Sequence, residues 1–146
     1  KDPEFITIAA KIFGSQCIVA SIETKAKQHG EGWDAYYDNG RENSGRSALD
    51  WAKIVVELGA GELLVTSVDR DGTKKGFDLQ SVGQIAASVN VPVIASGGAK
   101  GPDDVKDLLL NHTISAAAVA SVLHYDLSSI DVLKEAVASI GFEVRK

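Results

Sequence analysis

The sequence predicts an α/β fold built on four parallel strands, and three observations carry that prediction. Short apolar runs without internal charge alternate with longer segments of helical period. Three of the runs end in acids, hydroxyls or glycines: Leu63-Leu-Val65 into Thr66–Thr73, Val93-Ile-Ala95 into Ser96-Gly-Gly98, and Ala117-Ala-Val-Ala120 into Ser121. The resulting order, αβαβαβαβα, strings together β–α–β units, and these require a parallel sheet.

Each element has a local reason. Residues 3–13 read as a helix, with Pro3 in the first turn, Phe5, Ile6, Ala9, Ala10 and Phe13 near one face, and Gly14 as the stop. Residues 16–22 are β-branched and apolar, as in a strand buried on both faces. Residues 24–45 are polar and form a long loop. Trp33–Tyr37 and the turn signal Asp38-Asn-Gly40 place a small hairpin inside it. A helix over 46–58 follows, closed by Gly59 and Gly61. The next strand is 62–66, and the next helix is 78–88 with Asp78 as its cap. Pro92 opens a strand over 92–95. Pro102, Asp103 and Asp104 start a helix ending at Leu110, its acids matched to the N-terminal dipole. A strand over 114–120, a turn over 121–125, a helix over 128–139 and a short tail complete the chain.

Right-handed crossovers put all the helices on one side of strands added in sequence. That is the wall of a TIM-type (βα)8 barrel, and four strands are half of one. A flavodoxin-like open sheet is the alternative, but it wants helices on both faces and a fifth strand. Half a barrel leaves an apolar face and two unpaired edges. Self-association into a homodimer would close it.

The chain has 146 residues, enough for one domain. Its net charge of -5 argues against a nucleic-acid surface. No apolar run approaches the roughly 20 residues of a membrane span, and the first residues lack a signal-peptide core, which points to the cytoplasm. Cys17, the single cysteine, sits in an apolar run and reads as a buried core thiol. His29, His112 and His124 are scattered without metal-ligand spacing, so no metal and no cofactor is expected.

The chemistry concentrates at the strand ends, where α/β proteins bind ligands. Glycines there admit an anion to backbone N–H groups. Gly72, Gly97, Gly98, Ala120 and Ser121 are therefore candidates for a phosphorylated small molecule, although tight turns also need glycine. Thr66 and Ser96 stand at the same ends as candidate substrate contacts. Asp69 and Asp71 are two apart, so one can cap a turn while the other acts as acid or base. A calcium loop is disfavoured by Ser67 and Lys74 at ligand and apolar positions. Glu23 ends the first strand and suits proton transfer; its bland reading is an ion pair with Lys25 or Lys27. Glu62 opens a strand at the opposite rim, where a stability role is the default. Trp33, Tyr36 and Tyr37 read as hairpin packing, and His124 as a helix cap.

The phrases Phe13-Gly-Ser-Gln16, Gly59-Ala-Gly-Glu62, Thr66-Ser-Val-Asp-Arg-Asp-Gly-Thr73, Ala95-Ser-Gly-Gly98 and Ala120-Ser-Val-Leu-His124 give the chain a family likeness. It resembles the second half of the cyclase subunit of imidazole glycerol phosphate synthase, a lyase-type enzyme of histidine biosynthesis. The resemblance implies a two-halved (βα)8 barrel and a glutaminase partner that supplies ammonia. The substrate would be a ribulosyl aminoimidazole-carboxamide nucleotide, converted to imidazole glycerol phosphate and an aminoimidazole nucleotide. Two aspartates, one per half, act as acid and base, and position 23 matches one of them with a glutamate. Asp71 matches a substrate-contacting acid, and Gly72, Gly98, Ala120 and Ser121 match a phosphate site. Glu62 matches a charged gate for ammonia. An isolated half would be weak or inactive. The alternatives are a non-catalytic phosphate-binding half-barrel, or a paralogue aminating another sugar nucleotide.

Overall fold

A computed structural model describes residues 2–110 and 113–145. Helix α1 spans Glu4–Phe13 and is followed by a 3-10 turn, Ser15–Cys17, and strand β1, Val19–Ala26. The hairpin strands β2, Trp33–Tyr37, and β3, Glu42–Ser47, precede helix α2, Ala48–Glu57. Then come β4 (Glu62–Ser67), α3 (Leu79–Ser88), β5 (Val93–Ser96) and α4 (Pro102–Leu109). Strand β6 (Ala116–Ala118), the short α5 (Ser121–His124) and α6 (Ile130–Ser139) end the fold.

The strands form one sheet in the order β3-β2-β1-β4-β5-β6. β1, β4, β5 and β6 run parallel and in sequence, which is the wall of half a (βα)8 barrel. The hairpin is more than a loop ornament: β2 pairs antiparallel with β1 from Glu23 to Ala26 and extends the sheet to six strands. The four-strand expectation missed this because pairing between distant segments is not written in local composition.

One face of the sheet is covered and the other is not. Along β4, Leu63, Val65 and Ser67 are buried while Glu62, Leu64 and Thr66 are half-exposed. In β5, Val93 and Ala95 are buried and Ile94 and Ser96 are not. The buried set packs with Val55 of α2, Val82 and Ile85 of α3 and Leu108 of α4 in a single core. Each such side chain contributes about 1.5–3 kcal/mol. The uncovered set is the face that would line a closed barrel.

Several boundaries differ from the sequence reading. The strand expected at 16–22 begins at Val19, because the 3-10 turn comes first and Gly61 lets the Ser15 carbonyl lie against its backbone, where a Cβ would collide. Cys17 is therefore exposed in that turn and is not a core thiol. Glu23 lies inside the strand rather than at its end, since β1 runs on to Ala26. The strand expected at 114–120 shrinks to Ala116–Ala118, and the turn at 121–125 winds into α5. His112 lies outside the described residues. Among those described, no helix is long and apolar enough to cross a membrane.

Candidate functional site

Parallel register lines up the candidate residues. Glu23 pairs with Thr66, Thr66 with Ser96, and Ser96 with Ala118, so these four form one cross-strand row. Tyr36 extends the row onto the hairpin opposite Glu23. Thr66 belongs to the uncovered set of β4, and alternation puts its row partners on the same face. A polar row near the C-terminal ends of parallel strands is where a barrel holds its ligands.

The loop after β4 sorts its two acids. Asp69 Oδ2 accepts the Ala26 N–H at 2.7 Å and so caps the end of β1. The Asp71 backbone N–H closes a turn onto the Ser67 carbonyl at 2.9 Å, and its carboxylate accepts no hydrogen bond among the described residues. That carboxylate stands between two clefts. One, of about 230 Å³, is lined by Glu23, Asn39, Thr66, Val68 and Asp71. The other, of about 120 Å³, is lined by Asp71, Ser96, Gly97, Gly98 and the strand-to-helix turn Ala118–Ser121. Gly72 lines neither; it turns the chain at φ 71 with open space around it.

The two glycines after β5 are fixed by what they touch. A Cβ on Gly97 would stand 2.8 Å from the Ser67 carbonyl oxygen, and one on Gly98 would collide with the Gly76 carbonyl. Gly76 in turn donates its N–H to the Gly98 carbonyl at 2.8 Å. Lys74 holds the same loop from the other side, its Nζ 4.5 Å from the centre of the Tyr125 ring. His124 meets that ring edge-on at 4.8 Å, in the last turn of α5.

Glu23 makes neither of the ion pairs expected of it. Its Oε2 accepts the Gly40 N–H at 2.7 Å, and Lys25 Nζ lies 5.5 Å from the centre of the Tyr36 ring instead. Gly40 was legible as a turn residue, but nothing local shows where a turn's tip will land. Trp33 packs the hairpin down as expected, and its Nε1 donates to Asp78 Oδ2 at 3.2 Å. Asp78 also caps α3 through the Ser81 N–H at 3.1 Å and accepts from Ser67 Oγ at 3.4 Å. Thr24, Ser67 and Ser81, all fully buried, are hydrogen-bonded in this cluster. Glu62 starts β4 at the opposite rim, half-buried beside Val19.

A mostly apolar hollow lies elsewhere, between α4, β6 and α6, lined by Val105, Leu109, Ala117 and Leu133 with Lys134 among them. No trio of His, Cys, Asp or Glu among the described residues is arranged to hold a metal ion.

Residues 1–129 match a family described as "Histidine biosynthesis protein". The chain is 44% identical, over 135 residues, to the imidazole glycerol phosphate synthase subunit HisF of Lactococcus lactis subsp. cremoris. That alignment covers 92% of this chain and 52% of the relative. It is 41% identical to the subunit of the same name from Clostridium botulinum, over 99% of this chain and 57% of the relative. The chain thus spans about half the length of these curated relatives.

Proposed function

The chain belongs to the histidine biosynthesis protein family, and from that premise we propose that it acts as the second half of a cyclase barrel of imidazole glycerol phosphate synthase type. The observation that carries this reading is the position of Asp71, between a cleft holding Glu23 and a cleft rimmed by Gly97, Gly98, Ala120 and Ser121. The glycine-rich cleft suits a phosphate, which backbone N–H groups can approach closely. Asp71 suits the substrate's polar groups between the clefts. Glu23 supplies one member of the acid–base pair, and a second half-barrel supplies the other. Its side chain is one methylene longer than the aspartate of the resemblance, and about 1 Å of misplacement can cost about a hundredfold in rate. Turnover by this chain is therefore slow.

The uncovered sheet face supports closure by a second copy, giving a homodimer with one Glu23 from each protomer at the barrel mouth. Glu62, at the far rim, would gate ammonia from a glutaminase partner, as the resemblance implies; its half-buried position at the start of β4 supports this. Conversion of the ribulosyl aminoimidazole-carboxamide nucleotide with free ammonia tests the reading. We expect slow turnover that Glu23→Gln lowers at least tenfold; no turnover at high protein concentration overturns it. The polar row and its clefts stand independently of turnover, which favours one other reading, a phosphate-binding half-barrel without catalysis. Binding of inorganic phosphate that Ser121→Glu abolishes, without any turnover, selects it. Turnover of a different sugar nucleotide would select a paralogue, for which the altered carboxylate at position 23 is the support.

A further inference from the structure

We infer that the β2–β3 hairpin is a positioning device for the Glu23 carboxylate, with the Gly40 N–H as its contact. The inference rests on the cyclase reading, since it concerns how that reading's acid–base group is held.

The hairpin is fixed at both ends. At its base, Trp33 is tied to Asp78, the same residue that caps α3 and holds Ser67 of β4. β2 is also paired with β1 from Ala26 back to Glu23. Between Ala35 and Tyr36 the pairing of β2 with β3 slips, and Ser44 Oγ donates to the Ala35 carbonyl at 2.6 Å across the irregularity. Bulges of this kind bend a strand and re-aim its remaining residues. At the tip, Asp38, Asn39 and Gly40 are all left-handed, with φ of 54, 56 and 75. Asp and Asn tolerate that region, as a tight hairpin turn requires. The tip rests against Val68, which a Cβ on Gly40 would approach to 2.7 Å, and meets Glu23.

Gly40 therefore has two roles that only glycine fills. It seats the tip on Val68 at the end of β4, and it delivers a backbone N–H onto Glu23. One carboxylate oxygen is anchored by this bond. The other has no protein partner among the described residues, in a side chain that lines the cleft shared with Thr66 and Asp71. A carboxylate held through one oxygen presents the other in a fixed direction, which proton transfer requires. The longer side chain is matched to this contact. An aspartate at position 23 would be a methylene shorter and would fall short of the tip.

The test is the steady-state kinetics of nucleotide turnover with ammonia, together with amide hydrogen exchange at Gly40. Gly40→Ala pushes the tip off Val68; kcat should fall about 10- to 100-fold with KM unchanged. Glu23→Asp, a methylene too short to reach the tip, should speed exchange at the Gly40 amide. Trp33→Phe, which loosens the base without touching the tip, should lower kcat severalfold at constant KM and keeps the test open if Gly40→Ala misfolds. Unchanged kcat in both hairpin variants, or a loss confined to KM, overturns the inference and leaves the cyclase reading standing. Absence of turnover in the unaltered chain overturns the cyclase reading and this inference with it.

Discussion

Asp69 and Asp71 share a loop, a charge and a sequence context, yet they sit in opposite circumstances. Asp69 terminates β1 through the Ala26 N–H; Asp71 leaves its carboxylate unengaged between two clefts. Replacing Asp69 with Ala should cost about 0.5–1.5 kcal/mol, the net worth of a typical hydrogen bond, and should lower the urea midpoint. Asp71→Ala should leave stability within about 0.5 kcal/mol of the parent, as surface changes do, while nucleotide binding weakens. Equal destabilisation by both would contradict the assignment. Gly97 and Gly98 both leave no room for a Cβ beside a backbone carbonyl, so Gly98→Ala should destabilise by about 1–3 kcal/mol before any ligand is added. At this scale the sequence showed which residues were special but not which task each had. A spacing of two cannot decide which carboxylate turns toward backbone and which toward a cleft. Gly40 could be read only as a turn residue, because its partner, Glu23, is 17 positions away in the chain.

Helices were legible to within a residue or two because their boundaries are local chemistry. Gly14 stops α1, Ser47 and Asp78 cap α2 and α3 through the N–H groups of Asp50 and Ser81, and Pro102 opens α4. Strand ends were less so: β1 slid toward the C-terminus because a 3-10 turn and the close approach at Gly61 depend on two segments meeting. Asp78 is the element whose loss should spread furthest. A helix cap alone is worth about 1 kcal/mol. Asp78→Ala removes the cap and also leaves the Trp33 indole and the buried Ser67 hydroxyl without their acceptor. We expect a loss of about 2–4 kcal/mol in thermal or urea unfolding, more than twice that of Ser47→Ala. A Ser47→Ala change of equal size would show that the hairpin anchor contributes nothing. On α4, Lys106 holds the Asp103 carboxyl below its ordinary value through a 2.6 Å contact. The pair is at the surface, so its small contribution is present above the ordinary carboxylate pKa and fades as pH falls through the lowered one.

For the molecule as a whole, what stays uncovered is as informative as the core. Val19 is 49% exposed at the start of β1, and Leu64 and Ile94 are half-exposed on the sheet's uncovered face. On α1, Phe5, Ile12 and Phe13 are each more than 60% exposed, with Ile8 between them. Apolar surface gathered like this marks an interaction face. Sedimentation at micromolar concentration should therefore give a dimer, and Val19→Asp should shift it toward monomer without lowering secondary structure by circular dichroism. A monomer in the unaltered chain would refute closure by a second copy. The half-barrel itself was legible because strand, helix and glycine signals repeat in one order; the sheet's full width was not.

The hairpin gives the sheet a polarity. It occupies the outer edge of β1 along Glu23–Ala26, so only Val19–Ile22 remain open there, against Ala116–Ala118 on β6 at the other end. Unlike edges join head to tail, and a head-to-tail joint repeats until curvature brings the first copy back to the last. On the proposed closure, two copies would complete a ring of eight parallel strands; a flatter joint would keep growing. Because the seam on β1 is short and bounded above by the hairpin, an incoming strand cannot slide upward along it. The hairpin thus turns one edge of the sheet into a register stop for whatever strand pairs there.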